Sequence, residues 1–281
     1  MSLSPNHVIA GAQRPSARTA NLPRLLIAGA TGVLGNAVVR RLVGMHRARH
    51  TDVLATMPMH QGMRHVKLHV VPAAEPGRDD FSRWPRLPAD IAVVMFDPPR
   101  MFYGREKALW TPQPEQLPAL GAWLASCGIH SLAVVLPHAQ GSLPESLKSG
   151  LANLDEHALA ALPIDRLILV RSAQKPARAA HRHHLDRLAG WMLGVTRFMV
   201  PASEQPVRAA RVAELVDLAL HELPRGSHIL APGLVWQAAQ GDSLHMRRLL
   251  RRHAAGGPEQ QADSLPPADA ATPGSPHRPR P

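Results

Sequence analysis

The stretch that decides the fold is LLIAGATGVLGNAVVRRL, residues 25–42, in which three glycines separate an apolar run from an amphipathic one. The run at residues 24–28 is short and apolar, which predicts a buried strand, whereas residues 36–45 carry apolar side chains at helical spacing. A G-x-x-G-x-x-G spacing between a strand and a helix is close to the fingerprint of a dinucleotide-binding turn.

Each glycine of this turn has a physical role. Gly29 permits a tight turn, Gly32 lets the backbone approach a diphosphate, and Gly35 lets the helix pack closely on the strand. The unpaired N–H groups at the start of the helix supply the positive end of its dipole for a phosphate. A turn with a purely structural role is the alternative. The predicted cofactor-binding residues here are Gly29, Ala30, Thr31, Gly32, Val33, Leu34 and Gly35.

Apolar strands and amphipathic helices alternate through the rest of the chain. Further strands are predicted at residues 52–56, 65–71, 91–96, 131–136 and 166–170, and helices at 115–126, 151–162 and 207–222. Short strands that are apolar on both faces, separated by helices, are typical of a parallel sheet covered on both sides. The predicted fold is therefore an α/β, doubly wound, mostly parallel Rossmann sheet with helices on both faces.

The two ends of the chain lack such patterns. Residues 1–23 contain prolines and scattered polar residues and are predicted to form a disordered arm. The alternative is an organellar transit peptide, which this segment resembles because it contains no acidic residue. Residues 254–281 are rich in proline and contain one large aliphatic residue, Leu265, which predicts a disordered tail. A single domain is expected between them, at residues 24–253.

The composition of the 281 residues excludes a disulfide scaffold, a collagen-like fibre and wholesale disorder. With Cys127 as the only cysteine, and no apolar stretch long enough to span a bilayer, we expect a soluble cytoplasmic protein without a membrane partner. The net charge is +11, but 28 of the 32 basic residues are arginine, as a GC-rich genome would produce. The charge therefore favours a bound dinucleotide over a nucleic-acid partner.

The phrase GATGVLG, followed by NAVVRRLV, resembles the start of the atypical and extended short-chain dehydrogenases/reductases, in particular the NmrA-like and Tat-interacting-protein-like NAD(P)H-binding members. The resemblance extends over most of residues 24–240. It implies an NAD(P)-binding Rossmann protein in which the loop after the fourth strand frames the cofactor. Asp97 and Pro98, at the start of that loop, are therefore added to the cofactor-binding residues, Asp97 as a capping residue of the loop.

The choice between NADP and NAD follows from the end of the second strand. An enzyme that prefers NAD places an acid there to bind the ribose hydroxyls, but residues 53–60, VLATMPMH, contain none. The missing carboxylate favours NADP, for which only His60 and Arg64 lie nearby as positive partners. NAD, or a loss of cofactor affinity, stays an alternative.

Catalytic residues are not identified by the sequence. The resemblance implies a Ser after the fifth strand and a Tyr-x-x-x-Lys on the next helix, but Pro137, His138, Lys148 and Ala152 occupy those places. Two functions therefore stay open: a reductase that uses other residues on an unknown small molecule, and a non-catalytic dinucleotide sensor or interaction protein. His138 and Tyr103 are candidate substitutes, although an ordinary loop tyrosine is the simpler interpretation of Tyr103.

Two further clusters are more simply explained as solvated surface. The histidines at positions 181, 183 and 184 lack the acids or cysteines that would complete a metal site, so no metal is predicted. The basic run HMRRLLRRH, residues 245–253, is suited to a phosphate backbone but is more typical of an exposed helix end.

Overall fold

Seven strands and five helices form the part of the chain that the computed structural model describes, which is residues 22–59, 65–72, 81–100, 103–137, 158–159, 161–172 and 207–256. The strands are β1 (Arg24–Ala28), β2 (His50–Ala55), β3 (Val66–Val70), β4 (Ile91–Met95), β5 (Ser131–Leu136), β6 (Arg166–Arg171) and β7 (Gly226–Leu230). The α-helices are α1 (Gly32–Gly44), α2 (Leu117–Ser126), α3 (Ala209–Glu222), α4 (Pro232–Gln240) and α5 (Ser243–Ala255), and two short 3₁₀ helices cover Gly104–Ala108 and Pro114–Gln116.

The strands form one sheet in the order β3-β2-β1-β4-β5-β6-β7, and every neighbouring pair is parallel. Alternate residues of β1 belong to different cores because strand side chains alternate between faces. Leu25 and Ile27 pack with α1, α3, α4 and α5, while Leu26 and Ala28 pack with α2 and with residues 81–89, the segment before β4. The predicted α/β architecture, with both faces covered, is confirmed.

The predicted elements have close counterparts in the structure. β1 and β5 have the predicted bounds, whereas α1 begins at Gly32, four residues before the predicted start, so that the second and third glycines of the turn belong to the helix. β7 and α4 were not predicted, since GSHIL is short and mostly exposed. α5 continues to Ala255, past the predicted start of the tail. The predicted helix at 151–162 lies mostly outside the described residues, as do both predicted termini.

α1 and α3 are joined by a buried carboxylate. Asp217 on α3 has no exposed side-chain surface, and it accepts hydrogen bonds from Arg41 Nε at 3.1 Å and Arg47 Nη1 at 3.3 Å. A buried charge is tolerated only when it is paired in this way. The pairing fixes α1, and thus the turn that precedes it, against the rest of the fold.

The packing of α5 on β7 is expected to weaken in acid. Burial, and then the nearby His228, lower the pKa of His253, whose ring centroid lies 6.1 Å from that of His228. The unfolded chain therefore binds a proton at about pH 6.5, its ordinary value, before the folded protein does. The free energy of unfolding therefore falls as the pH decreases through that value. In urea titrations at several pH values, His253→Gln is expected to show a smaller decrease in this free energy than the wild type. His245→Gln, on the exposed side of the same helix, is the control, and an equal flattening by it would contradict the assignment.

Within the described ranges, no helix combines the length and the hydropathy that a membrane span requires.

Candidate functional site

The candidate site lies where the strand order reverses. From β1 the chain proceeds outward to β2 and β3, whereas β4 starts the opposite half of the sheet on the other side of β1. Doubly wound sheets bind ligands at the carboxyl ends of the strands beside this point. The turn at residues 29–35 follows β1 there, and Asp97 follows β4.

The glycines of the turn are required by its geometry. Gly29 and Gly32 have φ angles of +75° and +69°. A Cβ on Gly29 would lie 1.8 Å from the carbonyl oxygen of Met95, and a Cβ on Gly35 would lie 2.7 Å from the carbonyl oxygen of Gly29. The start of the turn is therefore closely packed against β4, and Gly35, in the first turn of α1, is closely packed against the backbone of Gly29 and Ala30.

The N–H groups of the turn bind two carboxylates of the same chain. The N–H of Gly32 donates to Glu106 Oε2 at 3.0 Å, and the N–H of Leu34 donates to Asp97 Oδ2 at 2.8 Å. Asp97 thus caps α1 rather than its own loop. Both carboxylates occupy the position of an anion at a helix N-terminus. The backbone of the turn is therefore arranged to receive negatively charged oxygens.

The two carboxylates differ in their electrostatic environment. Burial, together with the charge of Glu106, raises the pKa of Asp97 in spite of its hydrogen bonds from the backbone of α1. Burial also acts to raise the pKa of Glu106, but hydrogen bonds from Arg100 and from the Gly32 amide outweigh it and hold that pKa below its usual range. Glu106 is therefore the firmly ionised member of the pair.

Arg100 connects the carboxylate of Glu106 to an exposed aromatic ring. Its N–H donates to Oε2 of Glu106 at 2.9 Å, and its guanidinium donates to Oε1 from Nε at 2.8 Å and also from Nη2. The same guanidinium lies 3.6 Å from the ring centroid of Tyr103, at cation–π distance. One continuous set of contacts thus leads from the glycine turn to the only tyrosine of the chain.

Residues 108–111 fill the space between the diverging ends of β1 and β2. The N–H of Trp110 donates to the carbonyl of Leu54, and the carbonyl of Trp110 accepts from the N–H of Gly29, both at 3.0 Å. The N–H of Thr56 donates to the carbonyl of Ala108 at 2.8 Å. The buried Trp110 ring packs edge-on against Trp84, with ring centroids 4.9 Å apart. This segment is therefore a fixed wall of the site.

Exposed apolar side chains lie near the carboxyl ends of the strands. Of the six large apolar side chains that are exposed among the described residues, four lie at the carboxyl edge of the sheet. Val33, in the first turn of α1, is 60% exposed, and Met57, which follows β2, is 52% exposed. Such surface is suited to the faces of flat heterocyclic rings. The remaining two at this edge are Val70 and Tyr103.

The chain is similar in structure to several solved proteins. They include a nucleoside-diphosphate-sugar epimerase of Staphylococcus aureus (14% identity, 73% of this chain and 70% of that one, TM-score 0.45). A triphenylmethane reductase of Citrobacter sp., in complex with NADP(H), is 14% identical over 73% of this chain and 68% of that one, with a TM-score of 0.42. An ADP-L-glycero-D-manno-heptose-6-epimerase of Helicobacter pylori is 15% identical over 77% and 79%, with a TM-score of 0.43.

The sequence matches no known protein family profile and no curated protein.

The structure brings the predicted cofactor-binding residues together. Thr31 is fully buried, and its hydroxyl donates to the carbonyl of Asp97 and lies 2.9 Å from the hydroxyl of Thr111. Pro98 follows as a half-buried residue. The other candidates fall outside the described residues: His60, Arg64, His138, Lys148, Ala152, His181, His183 and His184. Within the described residues, no cluster of three or more His, Cys, Asp or Glu side chains is suited to a metal ion.

Sequence reasoning missed three residues of the site, Arg100, Glu106 and Lys107. No local pattern marks Glu106, because its partner at Gly32 is 74 residues away in the sequence. A signal did exist for Lys107, since Tyr103 and Lys107 themselves have the Tyr-x-x-x-Lys spacing, although in the loop after β4. The intervening 3₁₀ helix Gly104–Ala108 differs from the α-helix on which the resemblance implies this motif.

The basic cluster on α5 is partly neutralised. Arg247 and Arg251 pair with Glu222 at 3.3 and 3.2 Å, respectively. Arg248 and Arg252 are exposed beside them. The described part of the cluster therefore presents less net positive charge than its sequence indicates.

Proposed function

We propose that the protein binds a nicotinamide dinucleotide, with the diphosphate at the turn of residues 29–35. The observation that carries this proposal is that the N–H groups of Gly32 and Leu34 already bind carboxylate oxygens, at 3.0 and 2.8 Å. A diphosphate offers the same kind of acceptor with greater charge. The exposed side chains of Val33, Met57 and Tyr103 supply apolar surface for the rings of the nucleotide.

A sharp test uses an exposed position of the turn. Val33→Asp adds a negative charge beside the diphosphate, and its cost to folding is small because the side chain is exposed and an acid is favourable in the first turn of a helix. We expect calorimetric titration to show at least about a tenfold loss of NADPH affinity, which corresponds to about 1.4 kcal/mol. Leu244→Asp makes the same change at an equally exposed site in the first turn of α5. Equal affinities of both variants and the wild type would contradict the proposed site.

The preferred cofactor is proposed to be NADP(H). The hydroxyl of Thr56, at the end of β2, donates to the carbonyl of Lys107, so this exposed lysine lies where the 2′-phosphate of NADP is expected. Thr56 and the residues beside it carry no acid that would repel that phosphate.

Reversing the charge of Lys107 tests this preference. Lys107→Glu is expected to lower the affinity for NADPH about tenfold and to leave that for NADH nearly unchanged, because only NADPH carries the additional phosphate. Lys67→Glu, on the exposed surface of β3, is the control for the change in net charge. An equal loss for both cofactors, or none, would count against the assignment of Lys107.

The proposed role of the bound dinucleotide is that of a reductase cofactor, as in the short-chain dehydrogenases/reductases that the sequence resembles, including the NmrA-like members. Tyr103 is the only phenol in the chain, half exposed and in contact with Arg100, so it is the one side chain that could donate a phenolic proton to a carbonyl. The proposed cellular site is the cytoplasm, where the buried and free Cys127 would stay reduced.

A non-catalytic sensor or interaction protein is the second candidate. It is favoured by the residues at the places where the resemblance implies Ser and Tyr-x-x-x-Lys, since Pro137, Lys148 and Ala152 stand there instead. Oxidation of NADPH with a panel of small aldehydes, ketones and quinones separates the candidates. Turnover that is lost in Tyr103→Phe supports the reductase, whereas saturable NADPH binding without turnover supports the sensor.

A further inference from the structure

Glu106 makes contacts that a phosphate would make. Its Oε2 accepts from two backbone N–H groups, those of Gly32 at 3.0 Å and Arg100 at 2.9 Å, while its Oε1 accepts from the Arg100 guanidinium. An oxyanion held by two backbone N–H groups and a guanidinium fork is the common arrangement for a phosphoryl group in proteins. In this position the residue is buried, with 4% of its surface exposed.

We propose that Glu106 is an internal ligand of a phosphate subsite formed by Gly32 and Arg100, and that the diphosphate of the dinucleotide displaces it. This inference rests on the proposed function. Arg100 then changes partner, from the carboxylate to the phosphate, and becomes the main cation of the diphosphate site.

The movement that binding requires is small. Residues 108–111 are fixed by the packing of Trp110 and by hydrogen bonds to Gly29 and Leu54, so the wall of the site stays in place. Glu106 lies instead in the 3₁₀ helix Gly104–Ala108, between exposed neighbours, and its side chain is the part that has to leave. Asp97 stays in place because its bond to Leu34 caps α1, and its carboxylate lies against Gly32, where an added Cβ would be 2.0 Å from Oδ2.

The internal carboxylate has two consequences for the empty protein. It satisfies the Gly32 amide and the Arg100 guanidinium, which would otherwise be partly buried without partners. It also sets a threshold for ligands, because any anion must outcompete a carboxylate that is already in place. Carboxylates and monoanions are therefore expected to bind weakly, whereas a diphosphate competes better because of its greater charge.

Substitutions at the two ends of the Arg100–Glu106 pair separate this role from a structural one. If the pair only holds the loop, Glu106→Gln and Arg100→Ala break the same contact and change NADPH affinity in the same direction. If Glu106 is an internal ligand, Glu106→Gln increases affinity at least about tenfold, and Arg100→Ala decreases it by a similar factor. Glu115→Gln, an exposed acid in the adjoining 3₁₀ helix, is the control for charge.

The measurement is calorimetric titration of the full chain and each variant with NADPH and, separately, with inorganic pyrophosphate, after thermal unfolding has confirmed the fold. Glu106→Asp, which shortens the side chain but keeps its charge, replaces Glu106→Gln if the latter does not fold, with the same expected direction. A higher NADPH affinity in Glu106→Gln together with a lower NADPH affinity in Arg100→Ala supports the proposal. Tighter pyrophosphate binding by Glu106→Gln without NADPH binding also supports the subsite but removes the proposed function. Changes in the same direction, or no pyrophosphate binding by Glu106→Gln, overturn it.

Discussion

Gly29→Ala is expected to lower the free energy of unfolding by about 4 kcal/mol, the largest effect of any single methyl group at this edge of the sheet. The added Cβ would lie 1.8 Å from the carbonyl oxygen of Met95 and 3.2 Å from Cδ of Pro112. Met95 belongs to a central strand, so the backbone cannot move away without disturbing its ladders to β1 and β5. The φ of +75° adds strain of its own for any residue with a Cβ.

The matched control for this change is Gly233→Ala. Gly233 lies in α4, where an added Cβ meets no atom within 4 Å. Alanine is favoured over glycine inside a helix, so this variant is expected to be unchanged or more stable by less than about 1 kcal/mol. Urea unfolding followed by far-ultraviolet circular dichroism measures both. A loss below about 1 kcal/mol in Gly29→Ala would mean that the turn does not pack against β4 as described.

Asp217→Ala is expected to cost about 2 to 3 kcal/mol of unfolding free energy. The carboxylate has no exposed surface and neutralises Arg41 and Arg47, which join α1 to α3. Removing it leaves two arginine side chains without their partner beside a buried cavity. The expected loss is smaller than for a fully buried pair because both arginines are about one third exposed, at 31% and 30%, and can be rehydrated.

Glu222→Ala provides the contrast for Asp217→Ala. Glu222 also pairs with two arginines, Arg247 and Arg251, but these lie on the surface of α5, and Arg251 is 69% exposed. Surface pairs contribute at most about 1 kcal/mol, so this variant is expected to lose less than that. Equal losses for the two variants in urea titrations would contradict the structural role given to Asp217.

The sequence was sufficient for the fold because the relevant signals are local. Three of these signals lie within about twenty residues of each other: the run RLLIA, the glycines that follow it and the apolar stripe of the next helix. They correspond to β1, the turn and α1. β5 was equally clear as SLAVVL. β7 was not, since GSHIL has two polar residues and one apolar pair, and its position is decided by pairing with β6.

The chemistry of the site depended instead on distant contacts. Asp97 could be placed at the site because it follows the predicted strand at residues 91–96 and because the resemblance implies that the next loop frames the cofactor. Glu106 could not, because its burial follows from the Arg100 pair and from an amide 74 residues earlier in the chain. The wall formed by residues 108–111 was hidden for the same reason, since its bonds to Leu54 and Gly29 are long-range backbone contacts.

The most direct test of the central claim is an NMR titration of the full chain with NADPH that follows the backbone amide signals of Gly32 and Leu34. These are the N–H groups that the carboxylates of Glu106 and Asp97 now hold. We predict that the Gly32 signal shifts in a saturable manner and that Leu34 follows it, while the amide of Gly233 in α4 stays unchanged. Signals of Gly32 and Leu34 that do not move at millimolar NADPH would contradict the claim that this turn binds the diphosphate.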